Sequence, residues 1–522
     1  RYCSRGILLR KPSLERTTTI SSSGIRSSME TSSMASTIVV LLLVVGCTED
    51  LHILSDHLDN LRAGMENLSA IREVGNSLGR ALLLTMSTTT LGFLSIAFTD
   101  FVGLQHFAIS CAFGMTVNFL ITLLVVPACL ALVPPRIPRQ QWIGKVGFLG
   151  HAETLLEAIL HRHRRPALGL LALVLGGAGL GLARLEVNTD YLRFFSEDSE
   201  MVRAYRKFVS AFGGASFLTV TVETGAINGF EDSVRLGQLR TFQNSLESDC
   251  GHALGYLDLL GEFLQVSPPE SIGPDGLPTP EAHKSFRKII PREVVKPFLD
   301  YDGSRTAIRL RIHAPTSVDV LAIESRILRH AAGSFGEDIE VRVTGDRLLI
   351  ARLCELITAR LFTNLLLLAL TVALMIAVSV RSFVIGGLAI LPNLFPIVIT
   401  LGAMGWLGIP MSVGTFPVTL VAFGVTVDDT IHLLARHHLE RKRGGTVLAA
   451  VSRGLSREIR PVIATALIVA AGYLVMVLSP FRVNAEVGLL FAIAMLSGVV
   501  ADLVLTPILL VRFDRYLSRP DP

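Results

Sequence analysis

The chain is 522 residues long, half of them hydrophobic and 18% charged, with a formal charge of +4 and a mean hydropathy of +0.53. A soluble domain carries about 25% charged residues, so this composition excludes a wholly soluble protein and indicates many membrane spans plus one polar domain. Six scattered cysteines show no metal-type spacing.

In chain order, residues 1–36 are rich in Ser, Thr and Arg and lack an apolar h-region, so they do not form a secretory signal. They are expected to be disordered or outside the native frame. Residues 37–133 hold three apolar runs, beginning at about 37, 81 and 104, with Gly46-Cys-Thr-Glu49-Asp50-Leu-His52 closing the first. A basic linker, 134–165, leads to a glycine-rich span over 166–184. The polar region 185–355 then alternates strand and helix patterns: strands at 217–223, 254–259, 306–313 and 339–343, and a helix at 230–247. Thr316 with Asp319 forms a capping-box signal that opens a second helix. Two strand–helix–strand units imply an α+β domain of ferredoxin-like type. Five further spans follow within 356–513, at 361–380, 383–406, 411–434, 461–479 and 487–511, before a short tail, 514–522.

The expected fold is therefore a multi-pass α-helical membrane protein with nine spans. Arg436, Arg441, Lys442, Arg443, Arg453, Arg457 and Arg460 follow the third of the last five spans, and Arg512, Arg515 and Arg519 follow the fifth. The positive-inside rule puts these segments and 134–165 in the cytoplasm, and 185–355 and residues 1–36 outside. The arginines of the first stretch then lie on the wrong side, which sets that stretch further apart.

Sliding the chain on itself by 380 positions aligns His52 with His432, Gly64 with Gly444, Arg80 with Arg460, Thr85 with Thr465, Gly92 with Gly472 and Pro127 with Pro507. Glu49 then falls opposite Asp429. Transporters are commonly built from such duplicated units, with coupling sites where the repeats meet. The first copy begins at what would be its fourth span, so the pattern is that of part of a two-fold, twelve-span architecture with two external domains.

Candidate functional residues follow from polarity at membrane depth. Asp428 and Asp429 sit in an apolar run, where a charge costs roughly 2.5–3.5 kcal/mol on insertion scales. Asp428 lies ~12 Å along the helix from Arg436, too deep to snorkel comfortably. His432 is four residues from Asp428 and three from Asp429, on one helix face. With Glu49 and Asp50 these residues make a candidate proton relay. His52, Asn393, Thr85, Thr465 and Asp502 are possible supporting polar groups. The plainer readings are that one aspartate pairs structurally, that Asp50 and His52 reach interfacial water, and that Thr85 and Thr465 bond their own helix backbone. Pro392 and Pro396 kink a helix, freeing carbonyls that Asn393 can satisfy. The basic 436–460 segment reads as a topogenic face rather than a nucleic-acid site. No ATP-binding loop, catalytic constellation or cofactor motif is visible, so no enzyme reading is supported.

Gly424-Val-Thr-Val-Asp428-Asp429-Thr-Ile-His432-Leu-Leu, Leu391-Pro392-Asn393-Leu-Phe-Pro396 and the Glu49-Asp50-Leu-His52 segment together resemble the RND (resistance–nodulation–division) superfamily. The likeness, over about residues 30–515, is to its MMPL and hopanoid-transporter-like branch, related in turn to Patched and sterol-sensing proteins. The resemblance implies a proton-motive-force-driven exporter of lipids or other hydrophobic compounds in the bacterial inner membrane, with external domains guiding substrate. A homo-oligomer or periplasmic partner is compatible with it. Two other readings stay open: a non-transporting lipid or sterol sensor, and a protein-export accessory subunit.

Overall fold

The computed structural model describes residues 22–98, 102–132, 147–190, 192–273, 276–336, 338–380, 382–442 and 446–517. Residues 1–21, the Thr99–Asp100 turn, the 134–146 part of the basic linker, Arg443 and the end of the tail lie outside the described residues.

The chain is a helical membrane bundle carrying an α+β domain at one end. Helix α1 (Ser22–Arg62) turns through Gly64, whose φ of 87° suits glycine, into α2 (Asn67–Ile96) and then α3 (Val102–Leu132). The helix begins at Ser22, so residues 22–36 of the stretch expected to be disordered are helical. Extending an existing helix fixes only one residue per added hydrogen bond, so the apolar run can propagate into a Ser-rich flank. Helices α4 (Gly147–His161) and α5 (Arg164–Leu182) lead into the α+β domain.

That domain contains α6 (Glu200–Phe212), β1 (Ser216–Glu223), α7 (Ser233–Asp249), β2 (His252–Leu254), α8 (Tyr256–Gln265), α9 (Pro280–Ile289), α10 (Arg292–Val295), β3 (Arg305–Ile312), α11 (Ser317–Ser334) and β4 (Glu340–Thr344). The sheet is antiparallel throughout, in the order β2-β3-β1-β4. Leu218, Val220, Val222, Ile308, Leu310 and Ile312 point from β1 and β3 into one core with α7 and α11. Thr316 caps α11 through the backbone N–H of Asp319, whose carboxylate returns the bond. The strand expected at 254–259 is corrected: it ends at Leu254. Gly255 donates its N–H to Asp258, and α8 starts at once. Tyr256, Leu260 and Leu264 then recur at helical spacing on the buried face, a pattern that a short apolar run hides.

Helix α12 (Asp346–Val380) begins within the α+β domain and continues into the bundle. Its Leu348 and Ala351 pack in the domain core, and its Leu368, Val372 and Ile376 in the membrane core. The remaining helices are α13 (Phe383–Leu407), α14 (Phe416–Lys442), α15 (Val447–Leu474), α16 (Arg482–Val500) and α17 (Thr506–Leu517), the last two joined by a π-helical turn at Ala501–Leu505.

Among the described residues, seven helices are long and apolar enough to cross a membrane. The chain is therefore a multi-pass helical membrane protein. The seven do not include α1 and α2, which carry Glu49, Asp50, Asp56 and Asp59, and Arg72, Glu73 and Arg80. Both helices nevertheless pack inside the bundle, α2 on α14 and α1 on α15. Helix α14 is the enclosed one, with 89% of its apolar window buried against 17% for α3 and α5. A helix sheltered by protein on all sides can hold polar groups that lipid-facing helices cannot.

Candidate functional site

The site lies where α14 crosses the first two helices. Gly92 of α2 and Gly424 of α14 let the backbones meet: a Cβ on Gly424 would stand 3.3 Å from the Cα of Gly92. One turn further on, the Thr89 hydroxyl reaches both oxygens of Asp428 at 3.1 Å. Glu49, on α1, accepts a 3.0 Å hydrogen bond from Thr85, while its second oxygen has no hydrogen-bond partner. Thr85 also donates to the carbonyl of Leu82, so it serves backbone and carboxylate together.

Glu49, His52, Asp428, Asp429, His432, Thr465 and Asp502 all line one small cavity, together with Thr48 and Thr426. It offers about 20 Å³ to the centres of water-sized molecules, enough for roughly one water and far too little for a lipid. Three carboxylates from α1 and α14 thus face a water-sized void inside the bundle.

Below Asp429, toward the end opposite the α+β domain, the polar groups continue. His52 places Nε2 at 3.5 Å from Asp429 and Nδ1 at 3.4 Å from Glu458 of α15. Its ring stacks on that of His432, centroids 4.1 Å apart and 5° from parallel. Glu458 accepts a 2.7 Å hydrogen bond from Nε of Arg436, whose other arm pairs with Asp56 of α1. His52 and His432 stand 380 positions apart, as do Asp56 and Arg436. Equivalent residues of two repeats can touch only beside the axis that relates them, so both contacts mark a pseudo-two-fold axis through the bundle. The helix pairs α14–α2 and α1–α15 exchange about the same axis.

Other expected residues fall differently. Asp50 turns away from the cavity and accepts a 2.6 Å hydrogen bond from Thr122 of α3. Thr465 lines the cavity, with its hydroxyl on the carbonyl of Val462. Asn393 donates to the Ala389 carbonyl at 2.7 Å and to Thr430 at 3.1 Å. Thr430 in turn donates to Asp502 on the π-helical turn, the kind of local widening often found at functional sites.

Sequence reasoning did not single out Thr89, Thr430 or Glu458. Glu458 lies inside a basic run and opposite Leu78 in the repeat, so the 380-residue offset hides it. Its one signal is a spacing of seven from Thr465, two turns along one helix face. Arg436 corrects an expectation, because it is a buried ion-pair partner rather than an exposed topogenic charge.

Comparison with known proteins fits this architecture. Residues 306–521 match the MMPL family, and residues 13–143 match the sterol-sensing domain of SREBP cleavage-activation. A membrane protein of Methanocaldococcus jannaschii is 22% identical over 372 residues, 70% of this chain and 95% of that protein. The heme uptake protein MmpL11 of Mycobacterium tuberculosis is 23% identical over 519 residues, 92% of this chain and 48% of its own length. The mycolic acid-containing lipids exporter MmpL11 of Mycolicibacterium smegmatis is 27% identical over 199 residues, 35% of this chain and 21% of its own. The chain thus spans at most about half the length of these MmpL11 relatives. Its C-terminal part is thus similar to the MMPL family of the RND superfamily, and its N-terminal part to a sterol-sensing domain.

Proposed function

We propose that the chain belongs to a transporter that moves lipids or other hydrophobic molecules, driven by protons passing through the carboxylates around the cavity. The observation that carries this reading is the convergence of Glu49, Asp428 and Asp429, from two pseudo-equivalent helices, on a void that admits water and little else. Protonating such a cluster removes charge from the interface between the repeats, which biases one half-bundle against the other in alternating access. Thr89, Thr85 and Thr430 hold the carboxylates in place, and α12 links motion of the bundle rigidly to the α+β domain.

The same reading takes α1 and α2 as spans, nine in all, and the α+β domain as ferredoxin-like and facing the periplasm from the bacterial inner membrane. It requires no cofactor beyond the proton gradient. One MmpL11 relative is named for lipid export and another for heme uptake; both cargoes are largely apolar, which is consistent with a hydrophobic substrate without choosing a direction.

The test is release of a fluorescent phospholipid from proteoliposomes to albumin under an imposed proton gradient. Uncoupler-sensitive release is expected, with Asp428→Asn and Asp429→Asn each lowering it at least about tenfold. Undiminished, uncoupler-sensitive release from both variants would refute the relay. The sterol-sensing match supports a second reading, a lipid sensor without proton flux. Specific lipid binding that is indifferent to both substitutions would favour it.

A further inference from the structure

Glu458 has no place in the carboxylate cluster, yet it is among the most deeply buried charged residues of the bundle, 2% exposed. The groups around it are fixed from three helices. From α1 come His52 and Asp56, with Glu49 one turn away; from α14, Asp429, His432 and Arg436; from α15, Glu458 itself. Arg436 holds one oxygen of Glu458 at 2.7 Å and is anchored in turn by Asp56. The other oxygen has no hydrogen bond and stands 3.4 Å from Nδ1 of His52. Beyond the imidazole, Nε2 faces Asp429 at 3.5 Å.

We propose that Glu458 is a positioning residue that makes His52 the second proton site of the relay. This rests on the relay reading above. A carboxylate beside Nδ1 selects the ring tautomer with hydrogen on Nδ1, which leaves the Nε2 lone pair directed at Asp429. Proton exchange is then a single balanced step. The O–H bond of protonated Asp429 breaks, an N–H bond forms at Nε2, and the products are an aspartate and an imidazolium. Glu458 stays ionised throughout, since Arg436 pins it, and its charge stabilises the imidazolium. Both contacts are a few tenths of an ångström longer than a formed hydrogen bond, a looseness that a proton-carrying pair can take up on closing.

The stacked ring of His432 fixes the plane in which His52 lies. It also bars a second imidazolium, because two like charges 4.1 Å apart repel strongly in a medium of low effective dielectric. His52 and His432 are equivalent by sequence, but only His52 lies between two carboxylates. Leu78 stands where the repeat would put a second Glu458. The proton site is therefore one-sided, although the helices around it are paired.

The experiment is magic-angle-spinning ¹⁵N NMR of the whole chain, labelled at histidine, in liposomes between pH 5 and 9. The His52 signals are identified by their loss in His52→Gln. Wild-type His52 is expected as imidazolium or as the Nδ1–H tautomer, and the Nε2–H tautomer in the neutral ring overturns the proposal without any further variant. In Glu458→Gln the imidazolium share at pH 7 is expected to fall about tenfold, whereas Glu458→Asp, which keeps the charge, recovers most of it. An unchanged share in a folded Glu458→Gln also overturns it. Failure of the relay reading looks different: Asp429→Asn then leaves lipid release intact, whatever the state of His52.

Discussion

Replacing Arg436 by methionine tests the buried charge chain most directly. The substitution roughly conserves length and removes a guanidinium that is 5% exposed. It strands two carboxylates: Glu458, 2% exposed, loses its 2.7 Å donor, and the half-buried Asp56 loses its partner across the pseudo-two-fold axis. Breaking a buried ion pair from one side costs about 3–5 kcal/mol. His52 remains beside Glu458 and water reaches Asp56, so the lower end applies, about 3 kcal/mol. The second variant, Arg436→Met with Glu458→Gln, removes the uncompensated charge and should recover more than half of the loss. The repeat supports this, because the position equivalent to Glu458 is filled by Leu78, buried among Ile53, Val74 and Leu82. The assay is the apparent unfolding temperature in mild detergent at one scan rate, since such proteins often unfold irreversibly. The single variant should lower it by about 6 °C, taking roughly 2 °C per kcal/mol for a large chain. A loss below about 1 °C, or a double variant no better than the single, would show that the pair is not buried and coupled as described.

Two further outcomes follow from particular contacts. Gly405 of α13 packs so closely on α5 that an added Cβ would land on the carbonyl oxygen of Gly181. Gly405→Ala should therefore separate the two helices, costing about 1–3 kcal/mol and raising the reactivity of a cysteine placed at Ala178. Wild-type unfolding temperature and reactivity would contradict the close approach. In the α+β domain, burial pushes the His283 imidazole down to about 4, while the Tyr256 hydroxyl contacts its Nε2. The unfolded chain takes up that proton near pH 6.5 and the folded domain does not until about pH 4. Stability is thus complete above pH 6.5 and falls as the pH drops toward 4, by up to about 3 kcal/mol. Hydrogen exchange of the 256–289 peptides in the full chain, corrected for intrinsic rate, should speed up from pH 7 to 5 in the wild type and much less in His283→Gln. Equal protection at both pH values in the wild type would refute it.

Much of the organisation is legible in the residues, for identifiable reasons. Apolar run length is a bilayer requirement, so the seven helices that are long and apolar enough to cross lie where hydropathy alone puts them. Alternation in β1 and β3 reports a sheet with one buried face, and Thr316 with Asp319 announces α11 because helix caps are local chemistry. The 254–259 segment is misread because its apolar residues are too few to separate a period of two from one of 3.6. In α1 and α2 the hydropathy signal is diluted by charged residues that packing, rather than lipid, accommodates.

The amino-acid sequence by itself determined that Asp428 and Asp429 lie deep in an apolar helix, and that His52 and Glu49 are the counterparts of His432 and Asp429. Insertion energetics and an offset of 380 suffice for both. Only the tertiary structure decided which groups touch. Packing of α14 on α2 brings Thr89 to Asp428, packing of α1 on α15 brings Glu458 to His52, and Asp50 is drawn to Thr122 instead. Helical spacing fixes the face a residue occupies, but the partner it meets depends on how two helices cross and at what height. That choice rests on close approaches such as Gly92 on Gly424, which no single helix encodes.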